Sequence, residues 1–196
     1  MSRISGILLA VVAISACGPA REASEMSPPV LDTVTVAQAR RAADELGADL
    51  VTMLTSELKR GGPAGAIAVC ADSAQVRTRR HESSGMMVRR VGTRVRNVEN
   101  TPDSTETAVL ETFARAIAEG RAMPDTAFPT SDARGRTVTH YLRAIRVQEF
   151  CLACHGPTDS ISAKVKGMID TRYPNDRATG YQVGDLRGAI SVRVTR

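Results

Sequence analysis

The sequence predicts one α+β domain, with helices first and an antiparallel sheet after them. Two observations carry this. Apolar residues recur every three to four positions between residues 36 and 59 and again between 109 and 117, the period of a helix with one buried face. Strand-like runs rich in valine and isoleucine occupy residues 86–97, 138–147 and 187–194. The apolar share, 42% of 196 residues, is enough for one ordinary core.

The elements follow in order. Ala43, Leu46, Leu50, Leu54 and Leu58 mark the first helix, and Gly61-Gly62-Pro63 ends it. Pro63 suits the first position of a second, alanine-rich helix that contains Cys70 and fades before Ser83-Ser84-Gly85. In 86–97, Val91, Thr93 and Val95 alternate with arginines and predict a strand. Asp103 and Glu106 form a capping box, after which Val109, Leu110, Phe113 and Ile117 line one helical face up to Gly120. The last two strands flank the cysteine pair at 151 and 154.

Ahead of this domain, residues 4–14 are apolar and follow Arg3, a pattern for a secretory signal and too short to span a membrane. The segment ends Ile14-Ser15-Ala16-Cys17, which resembles a bacterial lipoprotein signal. Residues 1–16 are then a signal peptide, Cys17 carries lipid, and 17–33 form a flexible tether rich in Pro, Ser and Ala. An ordinary signal cut nearby is the alternative. The domain proper spans 34–196. This places the protein on the periplasmic side of a bacterial membrane, held by its lipid. Gly18 lacks the aspartate that marks inner-membrane retention, which favours the outer membrane. The net charge is +5, with three lysines among 26 basic residues. Dispersed arginines of this kind are a solvated surface, and no nucleic-acid partner is expected.

With Cys17 lipidated, three cysteines remain. Cys151 and Cys154, followed by His155, give the C-x-x-C-H pattern of c-type haem attachment. Two thiols at this spacing can reach both vinyl groups of one haem, and the adjacent imidazole can bind the iron. A redox-active C-x-x-C does not need the histidine, and a zinc site needs more ligands than three histidines readily supply. The opposite face of the iron is open to Cys70, His81, His140, Met53, Met86, Met87, Met123 or Met168. On composition alone, Cys70 is as readily a small buried apolar residue. Arg89, Arg90, Arg94 and Arg96 are candidates to meet the haem propionates, and Tyr173, Asp176 and Tyr181 belong to a loop without an assigned role.

Four blocks resemble the Tll0287-like haem domain family, in the family's order: "AIAVCADSA" (66–74), "VGTRVRNVENTPD" (91–103), "CLACHG" (151–156) and "YPNDRATGYQVGDLRGAISV" (173–192). The resemblance covers most of 36–194. It implies a PAS-like fold enclosing one covalent haem c, with iron bound by His155 and Cys70. Such a centre has no open position, and an anionic thiolate favours ferric iron and a low potential. The expectation is an exported monohaem cytochrome that passes single electrons to an unknown redox partner. The alternative is a haem-based redox or gas sensor acting through a separate protein. Peroxidase chemistry would need an open iron face with His81 or His140 as distal base.

Overall fold

A computed structural model describes residues 28–196, the side chain of Cys70 excepted. The expected signal (1–16), the lipid site Cys17 and the tether up to residue 27 lie outside the described residues. No helix among the described residues is long and apolar enough to cross a membrane.

The first helix, α1 (Thr33–Arg80), starts at Asp32, whose carboxylate accepts from the N–H groups of Val34 and Thr35. It is not one rod. Arg77 pairs with Asp49, 28 residues earlier, a separation that an unbroken helix would stretch to about 42 Å. The chain turns back at Gly62, at φ 63° and ψ −170°. Two helical arms result, 33–61 and 63–80, and the break falls in the expected Gly-Gly-Pro. That backbone conformation is open essentially to glycine alone. Nothing lies within 4 Å of where a Cβ would stand, so Gly62→Ala should lose only the conformational term, about 1–3 kcal/mol in denaturant unfolding.

Four strands follow: β1 (Met86–Gly92), β2 (Asp125–Ser131), β3 (Thr137–Arg146) and β4 (Leu186–Thr195), all antiparallel in the order β1-β4-β3-β2. The strand expected over 86–97 stops at Gly92. Its partner β4 bulges at Arg187, where the register against Ile145 and Arg146 slips by a residue, so residues 93–103 leave the sheet. The central strand β4 is buried on both faces. Ile190, Val192 and Val194 pack with Ala39, Ala43 and Leu46 of the first arm. On the other face, Ala189 meets Val109, Leu110 and Phe113 of α2 (Ser104–Ala118). Each fully buried side chain of this kind contributes about 1.5–3 kcal/mol.

The capping box of α2 forms in full: Asp103 accepts from the Glu106 N–H at 2.9 Å, and Glu106 accepts from the Asp103 N–H at 3.0 Å. Glu106 is fully buried and also meets Arg193 at 3.0 Å. Two short helices complete the chain, α3 (Leu152–His155) and α4 (Ala163–Arg172). Ile161, Val165 and Ile169 of the α4 region pack on Ile67 of the second arm. The architecture is the expected α+β class, with helices on both faces of a four-stranded antiparallel sheet.

Candidate functional site

The cysteine pair sits where β3 ends. Val147 is followed by a 3₁₀ turn (Glu149–Cys151) that leads into α3, and the Gln148 N–H points at the Cys151 sulfur at 3.3 Å. Gly156 closes the turn by donating to the Leu152 carbonyl at 2.9 Å. A Cβ at 156 would come within 2.7 Å of that carbonyl oxygen, so the glycine after the histidine is a steric requirement. Residues three apart on one helical turn share a face. Cys151, Cys154 and His155 all border one cavity, and neither cysteine is in a disulfide.

The cavity, about 350 Å³, lies on the α1 side of the sheet between the two arms and the cysteine segment. Leu50, Val51, Met53, Leu54 and Leu58 line it from the first arm, and Ile145 and Ile190 from the sheet. The apolar stripe read in the sequence therefore has two uses. Ala43 and Leu46 pack on the sheet, whereas Leu54 and Leu58 remain partly exposed on the cavity wall. The second arm contributes Ala66, Ile67 and Ala74. Position 70 falls midway between Ala66 and Ala74 in the helical register, four residues from each.

His155 Nδ1 lies 2.7 Å from the Ala178 carbonyl oxygen. A carbonyl can only accept, so Nδ1 carries the hydrogen and Nε2 keeps its lone pair. Burial, reinforced by the charges of Arg187 and Arg96, holds this imidazole well below the usual histidine range, so it stays neutral. Tyr181 sets its ring edge-on, with centroids 6.4 Å apart. Arg96 fixes the same region. Its guanidinium donates to the Cys154 carbonyl at 2.7 Å and to both carboxylate oxygens of Asp176 at 3.1 and 3.0 Å. A neutral histidine with an oriented ring and a free Nε2 is a metal ligand in waiting.

Of the four arginines expected near an acidic ligand, Arg90 and Arg96 line the cavity. Arg89 turns to the other face of the sheet, donating to the Thr101 carbonyl at 2.6 Å and facing Glu106 at 3.7 Å. Arg94 stacks on Tyr181, 3.7 Å from the ring centroid. The sequence reading missed Arg146 and Arg187, which also line the cavity. Arg187 reaches it through the β4 bulge. Leu186 and Ala189 both pack on the α2 side, so the alternation breaks between them and Arg187 is turned with Ile190 to the opposite side. Gly188, beside it, was the sequence signal.

The other residues considered as iron ligands separate clearly. Met53 borders the cavity. His140 stacks on Phe128 and bonds Thr130 at 2.9 Å, on the far face of the sheet. His81 lies 3.8 Å from Asp49. Met86, Met123 and Met168 pack in apolar clusters without lining the cavity, and Met87 is exposed. Neither His81 nor His140 is placed to serve as a distal base.

Taken together, these residues suit a flat apolar ring with acidic arms. Two thiols and a neutral imidazole come from the cysteine segment, small residues from the second arm, leucines from the first, and guanidiniums from Arg90, Arg96, Arg146 and Arg187.

The fold is similar to that in the crystal structure of the cyanobacterial heme-protein Tll0287. The TM-score is 0.65 at 25% identity, over 85% of this chain and 98% of that one. No curated protein matches the chain. The model of the Tll0287-like family matches residues 19–195, nearly the whole sequence, and the chain belongs to that family.

Proposed function

We propose that this chain is a monohaem c-type cytochrome that exchanges single electrons at low potential, its PAS-like domain enclosing the haem. One observation carries the reading: both thiols of the C-x-x-C pair, the neutral His155 and the apolar walls converge on one cavity. Cys151 and Cys154 hold the ring through thioethers, and His155 offers Nε2 to the iron. Cys70, midway between Ala66 and Ala74 in the second arm, would be the second protein ligand. Haem, once bound, supplies a one-electron couple. The protein's part is to fix the imidazole through Ala178 and to exclude water with Leu50, Leu54 and Leu58, while His155 and Cys70 together would hold the group and keep substrate from it.

In this reading residues 1–16 are an export signal, Cys17 a lipid anchor, 17–33 a tether and 34–196 the haem domain. The relationship to a haem protein supports the haem. The lipid anchor rests on the sequence pattern around Cys17.

The test is an optical spectrum of the full chain, oxidised and reduced, with and without carbon monoxide, for wild type and Cys70→Ala. The wild type should give the pyridine haemochrome of a doubly thioether-linked haem and a low-spin ferric spectrum. Cys70→Ala should abolish the thiolate signature and raise the midpoint potential. An unchanged mutant spectrum would move the second ligand to Met53. Carbon monoxide binding to the reduced wild type would favour a sensor over a carrier.

A further inference from the structure

Beside the apolar cavity lies a smaller, more polar annex of about 140 Å³, and both cavities are lined by Arg90, Arg96, Arg187, Asn100 and His155. Gln75 from the second arm completes the annex, bonded to Asn100 at 2.9 Å and accepting from Arg90 at 3.2 Å. Three guanidiniums therefore meet around one small volume.

The three differ in what they already hold. Arg96 is committed to Asp176 and to backbone carbonyls. Arg193, half-buried on the opposite face of the sheet, is likewise matched by Glu106. Arg187 departs from this pattern. It donates to the Arg94 carbonyl at 2.9 Å and bonds Tyr181, whose ring centroid is 5.4 Å away, and the acidic charge it feels is that of Asp176, already paired with Arg96. It forms no ion pair with a carboxylate among the described residues. A guanidinium carries five donors in a planar fork that matches a carboxylate, and the half-buried Arg187 would be stabilised by an anion of its own. Burial accordingly lowers the affinity of Arg187 for its proton. The fold nevertheless spends a bulge in its central strand on turning this side chain inward.

We infer that the annex is a carboxylate-binding subsite in which Arg187 supplies the counter-charge, with Arg90 beside it, for the acidic arms of the group in the main cavity. The inference rests on the haem reading, in which those arms are the two propionates. Arg187 then fixes how the ring is oriented in its plane and keeps the propionates ionised.

The experiment uses full-chain holoprotein, wild type, Arg187→Gln and Arg187→Lys. Pyridine haemochrome spectra first establish that haem is present, and its absence from the wild type would sink the haem reading itself. Propionate protonation is then followed against pH by infrared difference spectroscopy, alongside the midpoint potential. In the wild type at least one propionate should stay ionised well below the ordinary carboxylate range. In Arg187→Gln its titration should move up by about 1–3 pH units, and the midpoint potential should become pH-dependent near neutrality. Arg187→Lys should restore most of the charge effect. With haem in place, an unchanged propionate titration in Arg187→Gln overturns the inference. If the glutamine variant yields no holoprotein, the wild type alone decides, because two propionates titrating in the ordinary range would overturn the inference equally.

Discussion

Gly188→Ala is expected to prevent stable folding. A Cβ at this position would stand 2.0 Å from the Val91 carbonyl oxygen and 2.9 Å from the Gly92 Cα. Both obstacles are backbone of the neighbouring strand, so no side chain can rotate away. The residue also sits at φ 156°, outside the range that L side chains ordinarily adopt. Relief would require β1 and β4 to part at the Gly92–Gly188 pair, and the bulge that aims Arg187 would go with it. The cost should be about 4 kcal/mol or more, a large part of the 5–15 kcal/mol typical of a whole domain. Far-UV circular dichroism and denaturant titration of the purified variant would measure it. A variant that unfolds at the wild-type midpoint would show that the strands are not held as closely as this pairing requires.

Asp176→Ala should have the next largest effect. Its side chain is 7% exposed and that of its partner Arg96 is 11% exposed. Removing the carboxylate strands a buried guanidinium, a change that typically costs about 3–5 kcal/mol. The same substitution removes the acceptor for the Ala178 N–H, at 2.9 Å. The Ala178 carbonyl is the partner of His155, so the damage should extend from stability to the site. Two readouts are expected to move together: a lower unfolding midpoint and, in the proposed haem reading, a change in the absorption bands that would report an imidazole ligand. Asp176→Asn keeps the shape and some hydrogen bonding and should lose less. If the alanine variant is as stable as wild type, the Arg96–Asp176 pair is not the clamp described here.

The parts of this fold that were legible in the sequence are those whose cause is local. The Asp103/Glu106 capping box and the Gly61-Gly62-Pro63 break each act over a few residues, and each appears where its chemistry predicts. Strand β2 was not read, because Pro129 interrupts its pattern. It occupies the edge of the sheet, where a missing N–H is tolerated. Helix α4 was missed because it buries only Val165 and Ile169, too few positions to show a period. The site divided along the same line. Cys151, Cys154 and His155 are neighbours in sequence and were found together. Arg187 enters through a bulge that exists only when β4 is paired with β1 and β3, so apart from Gly188 beside it the local sequence did not show its direction. Arg89 and Arg94, near the cavity in sequence, were drawn away by Glu106 and Tyr181, partners that the chain brings from a distance.

The place of β4 in the sheet has a consequence for the order in which the molecule can be assembled. It is the last strand in the chain yet lies between β1 and β3, and pairing of residues so far apart in sequence is slow to close. Until residues 186–195 are present, β1 has no neighbour and the cavity lacks the wall that Ile190 and Arg187 provide. Cys151 and Cys154 precede β4, so a chain appearing from its N-terminus offers both thiols on an open segment before the domain can shut. Covalent capture of a bulky group at those thiols is therefore compatible with an unfinished fold. The final strand then acts as the latch that encloses whatever the cysteines already hold.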